Sequence, residues 1–316
     1  MRTLTLIVMA AGAYAQVSPG DRVLQADAAV RELAFSDKGE TIAFCADTKV
    51  RVWDTQSGKL LRTIALQPEV RRVAFAPGAS RIVTGGPDIG MRISELEGFG
   101  NARELAPATM RQGGATFSPD GSTIATSGRD KAIRLWDSVT GHDRLAIRGG
   151  LGGASALAIS PDARIIVAAD NDTNIRVWNS RNGELLRLIE DLPVTTFALA
   201  FSPDGKLLAS GGVDRIVYLW DAQSWKLLRK ITGQPEMISA LAFSPDGRLL
   251  ATGGFSEISS KEPVSILLRE VVSGKVIRTI ASAHQVSATE FSPDGKYFAT
   301  TDRDKAVHLW RVPDVR

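Results

Sequence analysis

Hydrophobic and polar residues alternate in short segments of this chain, and the same arrangement returns at a nearly regular interval. The segment Val30–Phe35 alternates with the two-residue period of a half-buried strand. A turn of sequence FSPDG follows such a segment four times, and three degenerate copies (FSDKG, FAPGA and ISPDA) complete the series. The seven copies begin at Phe35, Phe75, Phe117, Ile159, Phe201, Phe243 and Phe291. A spacing of about 42 residues, held over most of the chain, predicts a repeat architecture.

Each repeat is expected to contain four short antiparallel strands. In the turn, proline fixes φ near −65° and glycine accepts a positive φ, and together they favour a tight hairpin. A small apolar strand such as Thr123–Ser127 comes next, followed by a third strand such as Ala132–Trp136 and a fourth such as Lys59–Ile64. Four strands in such a unit make one blade of a β-propeller. We therefore predict an all-β, seven-bladed β-propeller of four-stranded antiparallel blades.

Two further positions mark the repeat. A tryptophan ends the third strand in five copies: Trp53, Trp136, Trp178, Trp220 and Trp310. An aspartate stands six residues before that position in six copies: Asp47, Asp88, Asp130, Asp172, Asp214 and Asp304. The second copy has Ser94 in place of tryptophan, and the sixth has Arg269. Because both sets follow the period of the repeat, we interpret them as structural residues.

The N-terminal region supplies a strand that the last repeat lacks. Only six residues follow Trp310, so the seventh copy has no fourth strand of its own. Residues Pro19–Leu24 align with Ser57–Arg62, which lead into the fourth strand of the first copy. We therefore predict that an N-terminal strand completes the last blade. This pairing would close the ring and remove exposed sheet edges.

The FSPDG turn, the Trp-Asp pair that ends the third strand and the aspartate before it resemble those of the WD-repeat family of β-propellers. The resemblance covers nearly all of the chain after residue 15 and implies a seven-bladed ring. In that family a His–Ser/Thr–Asp–Trp hydrogen-bond chain often supports a blade, but here only His284 stands near the histidine position. We therefore expect a shortened Ser/Thr–Asp–Trp chain. Its hydroxyl members would be Thr126, Ser210 and Thr300, next to Asp130, Asp214 and Asp304.

Candidate chemistry in the central channel is sparse. The first strand of each blade lines the channel of a propeller, and the residues one and three places before each turn residue Phe or Ile are mostly small. The charged exceptions are Glu32, Arg72 and Glu290, on blades one, two and seven. They indicate either a small polar site or, more simply, an ion pair with water. With one cysteine, Cys45, and three histidines in addition, we predict no catalytic residues, no metal site and no cofactor.

The residues most available to a partner are expected on one face of the ring. The sixth repeat carries an insertion, Phe255–Pro263, between its second and third strands. The resemblance places this connection on the face that the family most often uses for partners, although neutral variation of a surface loop explains an insertion equally well. The candidate partner-binding residues on that face are Arg129, Asn171, Arg303, Glu69, Arg111, Met237, Gln285 and Phe255.

Trp225 is the one tryptophan outside the repeat position. It stands at a turn where other blades have glycine. Its indole is expected either to be exposed as a contact residue or to pack against Leu227.

The first fifteen residues have the pattern of a secretory signal peptide. Arg2 precedes the uncharged apolar stretch Leu4–Ala11, and Ala13-Tyr14-Ala15 has the small residues that signal peptidase accepts. We expect cleavage near Ala15, a propeller over residues 16–316, and a periplasmic or secreted location. An uncharged stretch this short does not span a bilayer. The net charge of +3, without a basic run, gives no indication of nucleic acid binding.

Together these patterns predict an exported, monomeric, non-enzymatic scaffold that binds a protein or peptide through loops of several blades. One alternative is a propeller-type enzyme, lactonase-like or quinoprotein-like, which would need a ring of carboxylates or amides in the channel. Another is a sensor or carbohydrate-binding module, for which only Phe255, Trp225 and Phe99 offer free aromatic rings. The sequence does not indicate the identity of the partner.

Overall fold

The computed structural model describes residues 21–66, 70–75, 81–86, 90–96, 103–106, 112–118, 121–128, 132–148, 156–169, 173–190, 192–256, 263–282, 284–301 and 305–313, and every regular element in these ranges is a β-strand. The first strand along the chain is β1 (Arg22–Gln25). The first blade contains β2 (Val30–Phe35), β3 (Thr41–Ala46), β4 (Lys49–Asp54) and β5 (Leu60–Ala65). The second contains β6 (Arg72–Phe75), β7 (Arg81–Gly86), β8 (Gly90–Glu95) and β9 (Arg103–Ala106). The third contains β10 (Gln112–Phe117), β11 (Thr123–Gly128), β12 (Ala132–Asp137) and β13 (Asp143–Arg148).

The remaining blades follow the same order. The fourth contains β14 (Ala156–Ile159), β15 (Ile165–Ala169), β16 (Ile175–Asn179) and β17 (Leu185–Ile189). The fifth contains β18 (Thr196–Phe201), β19 (Leu207–Gly212), β20 (Val217–Asp221) and β21 (Leu227–Ile231). The sixth contains β22 (Met237–Phe243), β23 (Leu249–Phe255), β24 (Val264–Glu270) and β25 (Val276–Ser282). The seventh contains β26 (Ala288–Phe291), β27 (Tyr297–Thr301) and β28 (Ala306–Arg311), to which β1 is added.

The seven sheets form a closed ring. Within each blade, neighbouring strands are antiparallel and lie in the order first, second, third, fourth. The first strands of successive blades contact one another around the whole circle, and the cycle is completed by the contact between β26 and β2. In the seventh blade β1 pairs with β28 in the place of the fourth strand. The predicted seven-bladed propeller, closed by an N-terminal strand, is confirmed.

The Ser-Pro-Asp-Gly segments form the turns that the sequence predicts. In blade five the Ser202 hydroxyl donates to Asp204 at 2.6 Å and accepts the amide of Leu207 at 2.9 Å. Gly205 has a φ of 70°, in the region that favours glycine. Blade four has Ala163 at the same position, and it adopts a φ of 57°. The turn therefore keeps its shape where the glycine is replaced.

The strand order gives the ring two different faces. The turns between first and second strands and between third and fourth strands lie on one face, here called the turn face. The connections between second and third strands, and from one blade to the next, lie on the opposite face, here called the loop face.

Three tryptophans on third strands are fixed by hydroxyl groups on the neighbouring second strand. The indole nitrogen donates to the hydroxyl over 2.8 to 2.9 Å in blades three, five and seven. The pairs are Trp136 with Thr126, Trp220 with Ser210, and Trp310 with Thr300. Because all six residues are buried, each bond satisfies a donor that water cannot reach.

The hydrogen-bond chain departs from expectation at the aspartate of blade five. The Asp214 carboxylate accepts the Tyr218 hydroxyl at 2.6 Å, and Ser210 bonds only to the Trp220 indole. Burial, together with this bond to Asp214, raises the pKa of Tyr218, so the phenol stays protonated as the donor. The expectation that Asp214 would reach Trp220 through Ser210 is wrong. The hydroxyl of Tyr218, which lies on the same strand as Trp220, donates to Asp214 instead.

Blades one and six lack this bond between an indole and a hydroxyl group. In blade one Phe44 occupies the hydroxyl position and stacks on Trp53 at a centroid distance of 6.3 Å, and the Trp53 indole nitrogen finds no acceptor among the described residues. In blade six Thr252 donates to the Gln234 side chain at 2.6 Å. The Gln234 amide in turn donates to the Ser265 carbonyl at 3.1 Å. Asp88, Asp130, Asp172 and Asp304 lie outside the described residues.

The register of β1 differs by two residues from the alignment based on sequence. Arg22 lies opposite Leu309, just as Arg62 lies opposite Val52 in blade one. Arg22 therefore corresponds to Arg62, whereas the sequence alignment pairs it with Leu60. Arg22 donates to the Thr55 carbonyl of the next blade at 3.3 Å, and Arg62 donates to the Leu96 carbonyl of its own next blade. The arginine that connects adjacent blades fixes this register.

Asp21 anchors the seam between the two ends of the chain. Its side chain is only 1% exposed. One oxygen accepts the backbone amide of Arg311 at 2.8 Å, and the other accepts Arg278 at 2.9 Å. The Arg278 guanidinium also lies over the Trp310 ring, 5.7 Å from its centroid. One carboxylate thus joins the N-terminal strand, blade six and blade seven.

We predict that Asp21→Ala lowers the free energy of unfolding by about 2–4 kcal/mol, because it removes the charged partner of the largely buried Arg278 guanidinium and the acceptor of the Arg311 amide. Urea denaturation followed by tryptophan fluorescence measures the effect. Lys206→Gln, which removes an exposed pair with Asp204, is the control and should change the value by less than about 1 kcal/mol. Equal effects of the two substitutions would show that Asp21 does not anchor the seam.

Candidate functional site

Three apolar side chains lie together on the loop face at the boundary of blades five and six. Phe197 belongs to β18, Met237 begins β22, and Phe255 ends β23. The rings of Phe197 and Phe255 are 5.8 Å apart between centroids and tilted by 42°. Met237 lies directly opposite Phe255 across the strand pair. All three are only half-buried, so this group, here called the loop-face cluster, leaves apolar surface exposed to solvent.

A glycine and a bulge bring the strands of this site unusually close. A Cβ atom at Gly254 would lie 1.5 Å from the Met237 carbonyl oxygen, so only glycine fits there. The register shifts between Ile238 and Ala240, a β-bulge that redirects the start of β22. Met237 and Phe255 therefore share the end of one blade, immediately before the inserted residues.

Blade seven adds Gln285 to the same region. The next residue, Val286, donates its amide to the Gly254 carbonyl at 2.9 Å. The Val286 carbonyl accepts the Ser239 hydroxyl at 2.9 Å. Of the predicted partner-binding residues, Met237, Gln285 and Phe255 are thus brought together. The other five, which are Arg129, Asn171, Arg303, Glu69 and Arg111, lie outside the described residues.

Phe197 was not predicted as a member of this site. No pattern in the sequence relates Phe197 to Phe255. The two rings meet because blades five and six pack face to face. The available signal was its position as the second residue of a first strand, near the loop face.

Glu236 supplies a carboxylate beside the loop-face cluster. Burial raises its pKa, while hydrogen bonds from the Ser265 amide at 3.1 Å and the Gln234 side chain at 3.4 Å act in the opposite direction. The edge of the cluster next to Met237 is therefore polar.

The channel carries two carboxyl groups on adjacent blades. Glu32 accepts the Val73 amide of blade two at 2.9 Å, and Glu290 accepts the Phe35 amide of blade one at 3.2 Å. Each glutamate thus joins its own first strand to the first strand of the next blade. The side chain of Arg72, the third charged residue predicted here, lies outside the described part of the chain. Both described carboxyl groups have a structural role.

Neither a metal cluster nor a membrane-spanning helix is present in the described ranges. No three His, Cys, Asp or Glu side chains lie close enough there to hold a metal ion. No helix of the length and apolar character needed to cross a bilayer is found among the same residues.

We predict that the stability of this protein falls as the pH rises from about 4.5 to about 8, in part because of Glu290. The pKa of this carboxyl is raised to about 8, chiefly by burial; the hydrogen bond from the Phe35 amide acts in the opposite direction, and the nearby Glu32 charge adds to the rise. The folded state therefore binds a proton more tightly than the unfolded state, and the resulting stabilisation is lost through this interval.

Glu290→Gln should flatten this part of the pH profile and be relatively more stable at pH values above about 8. Denaturation midpoints across the pH range measure the effect, with the exposed Glu40→Gln as the control. Parallel profiles for Glu290→Gln and the unsubstituted protein would contradict the assignment.

The repeats of this chain match a known family of repeat proteins. The family model described as WD domain, G-beta repeat matches residues 21–54, 113–137, 140–179, 190–221, 225–257 and 274–311. These segments make up more than half of the chain and include every blade except the second, whose third strand has Ser94 instead of tryptophan. A comparison with curated proteins gave no significant match. The blades that contain the matched segments are WD40 repeats, and the chain therefore belongs to the WD40 repeat family.

Proposed function

We propose that this protein is a non-enzymatic, monomeric scaffold that binds a protein or peptide at the loop face of its propeller. The observation that carries the proposal is the loop-face cluster of Phe197, Met237 and Phe255, in which two blades contribute half-exposed apolar side chains to one patch. Aromatic and methionine side chains of this kind are enriched at protein interfaces. A WD40 propeller is consistent with such a role, since it holds loops from several blades on a rigid frame.

The surroundings of the patch favour a contact surface. Glu236 gives it a polar border, and Gln285 extends it onto blade seven. An apolar centre with a polar rim is the usual arrangement of an interface. The insertion after Phe255 enters the chain at the same place.

The alternatives receive less support. An enzyme would need channel carboxylates that are available to a substrate, and both Glu32 and Glu290 accept backbone amides of the next blade. A carbohydrate-binding opening would need neighbouring aromatic rings, but Phe255 is on the loop face whereas Trp225 is on the turn face. Phe99, the third ring considered for that role, lies outside the described residues.

The interaction is tested by photo-crosslinking and affinity capture. A photoreactive phenylalanine analogue at Met237 should crosslink to a partner in the native source, whereas the same analogue at Leu61, on the outermost strand of blade one, should not. The double substitution Met237→Ala and Phe255→Ala is expected to weaken the captured complex by about tenfold or more, because truncation of central interface residues costs above about 1 kcal/mol each.

Leu61→Ala serves as the matched control, since it also truncates an exposed apolar residue, 52% exposed, without touching the loop face. Thermal unfolding of each variant shows that the ring is intact. The proposal is wrong if the double variant and the control retain the same partner with the same affinity.

We further propose that the protein is exported and that residues 1–15 are removed. Arg2, the apolar stretch Leu4–Ala11 and the small residues Ala13 and Ala15 support this proposal. These residues lie outside the described part of the chain.

Mass spectrometry of the protein from its native source should show Gln16 as the first residue, and Ala15→Arg should leave the uncleaved precursor, because signal peptidase requires a small residue there. A mature chain that retains residues 2–15 would contradict export through this segment.

A further inference from the structure

A second surface lies on the opposite face of the ring, between blades three, four and five. One groove of about 480 Å³ runs between blades three and four, and another of about 930 Å³ runs between blades four and five. Both are lined by Asp162 and Arg164, on the first turn of blade four. The two grooves therefore adjoin at this turn, and together they are here called the turn-face groove.

Trp225 lies in this groove in a strained backbone conformation. Its amide donates to the Asp221 carbonyl at 2.8 Å, and the same bond is made in other blades by glycines with φ between 68° and 74°: Gly58, Gly141, Gly183 and Gly274. Trp225 itself has a φ of 57°. A residue with a side chain is less stable in this region by about 1–2 kcal/mol. A bulky aromatic is thus held where the fold prefers glycine.

The indole of Trp225 is placed to contact a ligand. It packs with one part against the core between blades four and five and lines the groove with the other, so it is half-buried. Leu186, which is 45% exposed, and the partly buried Phe201 line the same section. Ala163 and Arg215 also adopt a positive φ, so the groove in front of the Trp225 indole, and not the strain alone, is the observation that points to a ligand.

The groove section between blades three and four is positively charged. It is lined by Arg144, Arg164 and Arg181 and by a single acidic residue, Asp162. The Asp162 carboxylate accepts the Ser160 hydroxyl at 2.6 Å and the Arg164 amide at 3.1 Å, so its oxygens serve the turn. The Arg164 side chain is 68% exposed and approaches Asp162 only to 3.9 Å. These guanidinium groups are available for carboxylates.

We propose that the turn-face groove binds an acidic peptide segment of a partner protein, in which a bulky apolar residue stands beside two or more carboxylates. The apolar residue packs on Trp225 and Leu186, and the carboxylates pair with Arg144, Arg164 and Arg181. This surface is separate from the loop-face cluster, so the two proposals stand or fall independently.

The ligand is identified by selection from a phage-displayed library of random peptides about twelve residues long. Phage that bind the Trp225→Gly variant are first removed from the pool, and the remaining phage are selected for binding to the unsubstituted protein. This variant has the glycine that other blades have at the same turn position. The substitution removes the backbone strain, which stabilises the fold, and also removes the packing contacts of the indole, which destabilises it. Because the two effects oppose each other, the melting temperature of this variant should change by only a few degrees. Loss of binding then reports on contact with the indole.

The recovered peptides are expected to contain acidic residues next to an aromatic or aliphatic one. Fluorescence polarisation should show about tenfold or weaker binding to Trp225→Gly and to the double variant Arg164→Gln and Arg181→Gln. Raising NaCl from about 50 to about 500 mM should weaken binding to the unsubstituted protein.

Two control variants keep both surfaces distinguishable. Arg248→Gln with Lys296→Gln removes two positive charges from the groove between blades six and seven, which has no aromatic residue in its described lining, and should bind the peptides as the unsubstituted protein does. Met237→Ala with Phe255→Ala should do the same.

Four results would overturn the proposal: no peptide survives the depletion, the survivors lack acidic residues, the arginine variant binds them unchanged, or the loop-face variant loses them. Binding of phosphatidylglycerol vesicles that depends on the same arginines, without enrichment of acidic peptides, would assign the groove to a membrane surface instead.

Discussion

The contact between one blade and the next is the constraint on which this molecule depends. A four-stranded blade has two apolar faces and buries them only against neighbours, so the ring is stable only if it closes. Closure is made by β1, whose Leu24 is buried and whose Arg22 reaches the Thr55 carbonyl of blade one. Asp21 then holds Arg278 and the Arg311 amide at the same seam. On the channel side, the Glu290 carboxyl accepts the Phe35 amide and so joins the innermost strands of blades seven and one.

Most of the fold could be predicted from the sequence, because each repeat states its own turns and strand pattern. The Ser-Pro-Asp-Gly turn determines a local hairpin through bonds such as Ser202 to Asp204, and these involve residues close in sequence. The register of β1 could not be obtained in this way. The glycines that precede β1 and β5 suggested one alignment, whereas the arginine contacts between blades, Arg22 to Thr55 and Arg62 to Leu96, select another. The same contact recurs from Arg229 to the Val272 carbonyl and from Arg278 to the Arg311 carbonyl, so an arginine repeated on the fourth strand was the signal in the sequence for this register.

The candidate sites were predictable only in part, because some of their residues come together only through packing between blades. Repeat positions and the insertion pointed to Met237, Gln285 and Phe255, but Phe197 joins them through packing of two blades. The Asp214–Tyr218 bond and the Gln234–Thr252 bond replace the expected hydrogen-bond chain, because a nearer donor or a buried amide meets the same requirement. For Trp225 the sequence revealed an aromatic in place of a turn glycine, and its left-handed backbone and groove required coordinates.

The pairing of β1 with β28 also sets the order in which this protein can mature. Arg22 lies opposite Leu309, so β1, which is synthesised before the other strands of the ring, waits for β28, which is synthesised after them. Blades one to six can form as synthesis proceeds, since each pairs strands that are close in sequence. The seventh cannot form until β28 has been synthesised, and loop closure over this separation is entropically costly. Until then the ring has an open seam, with unpaired strand edges on both sides of the gap.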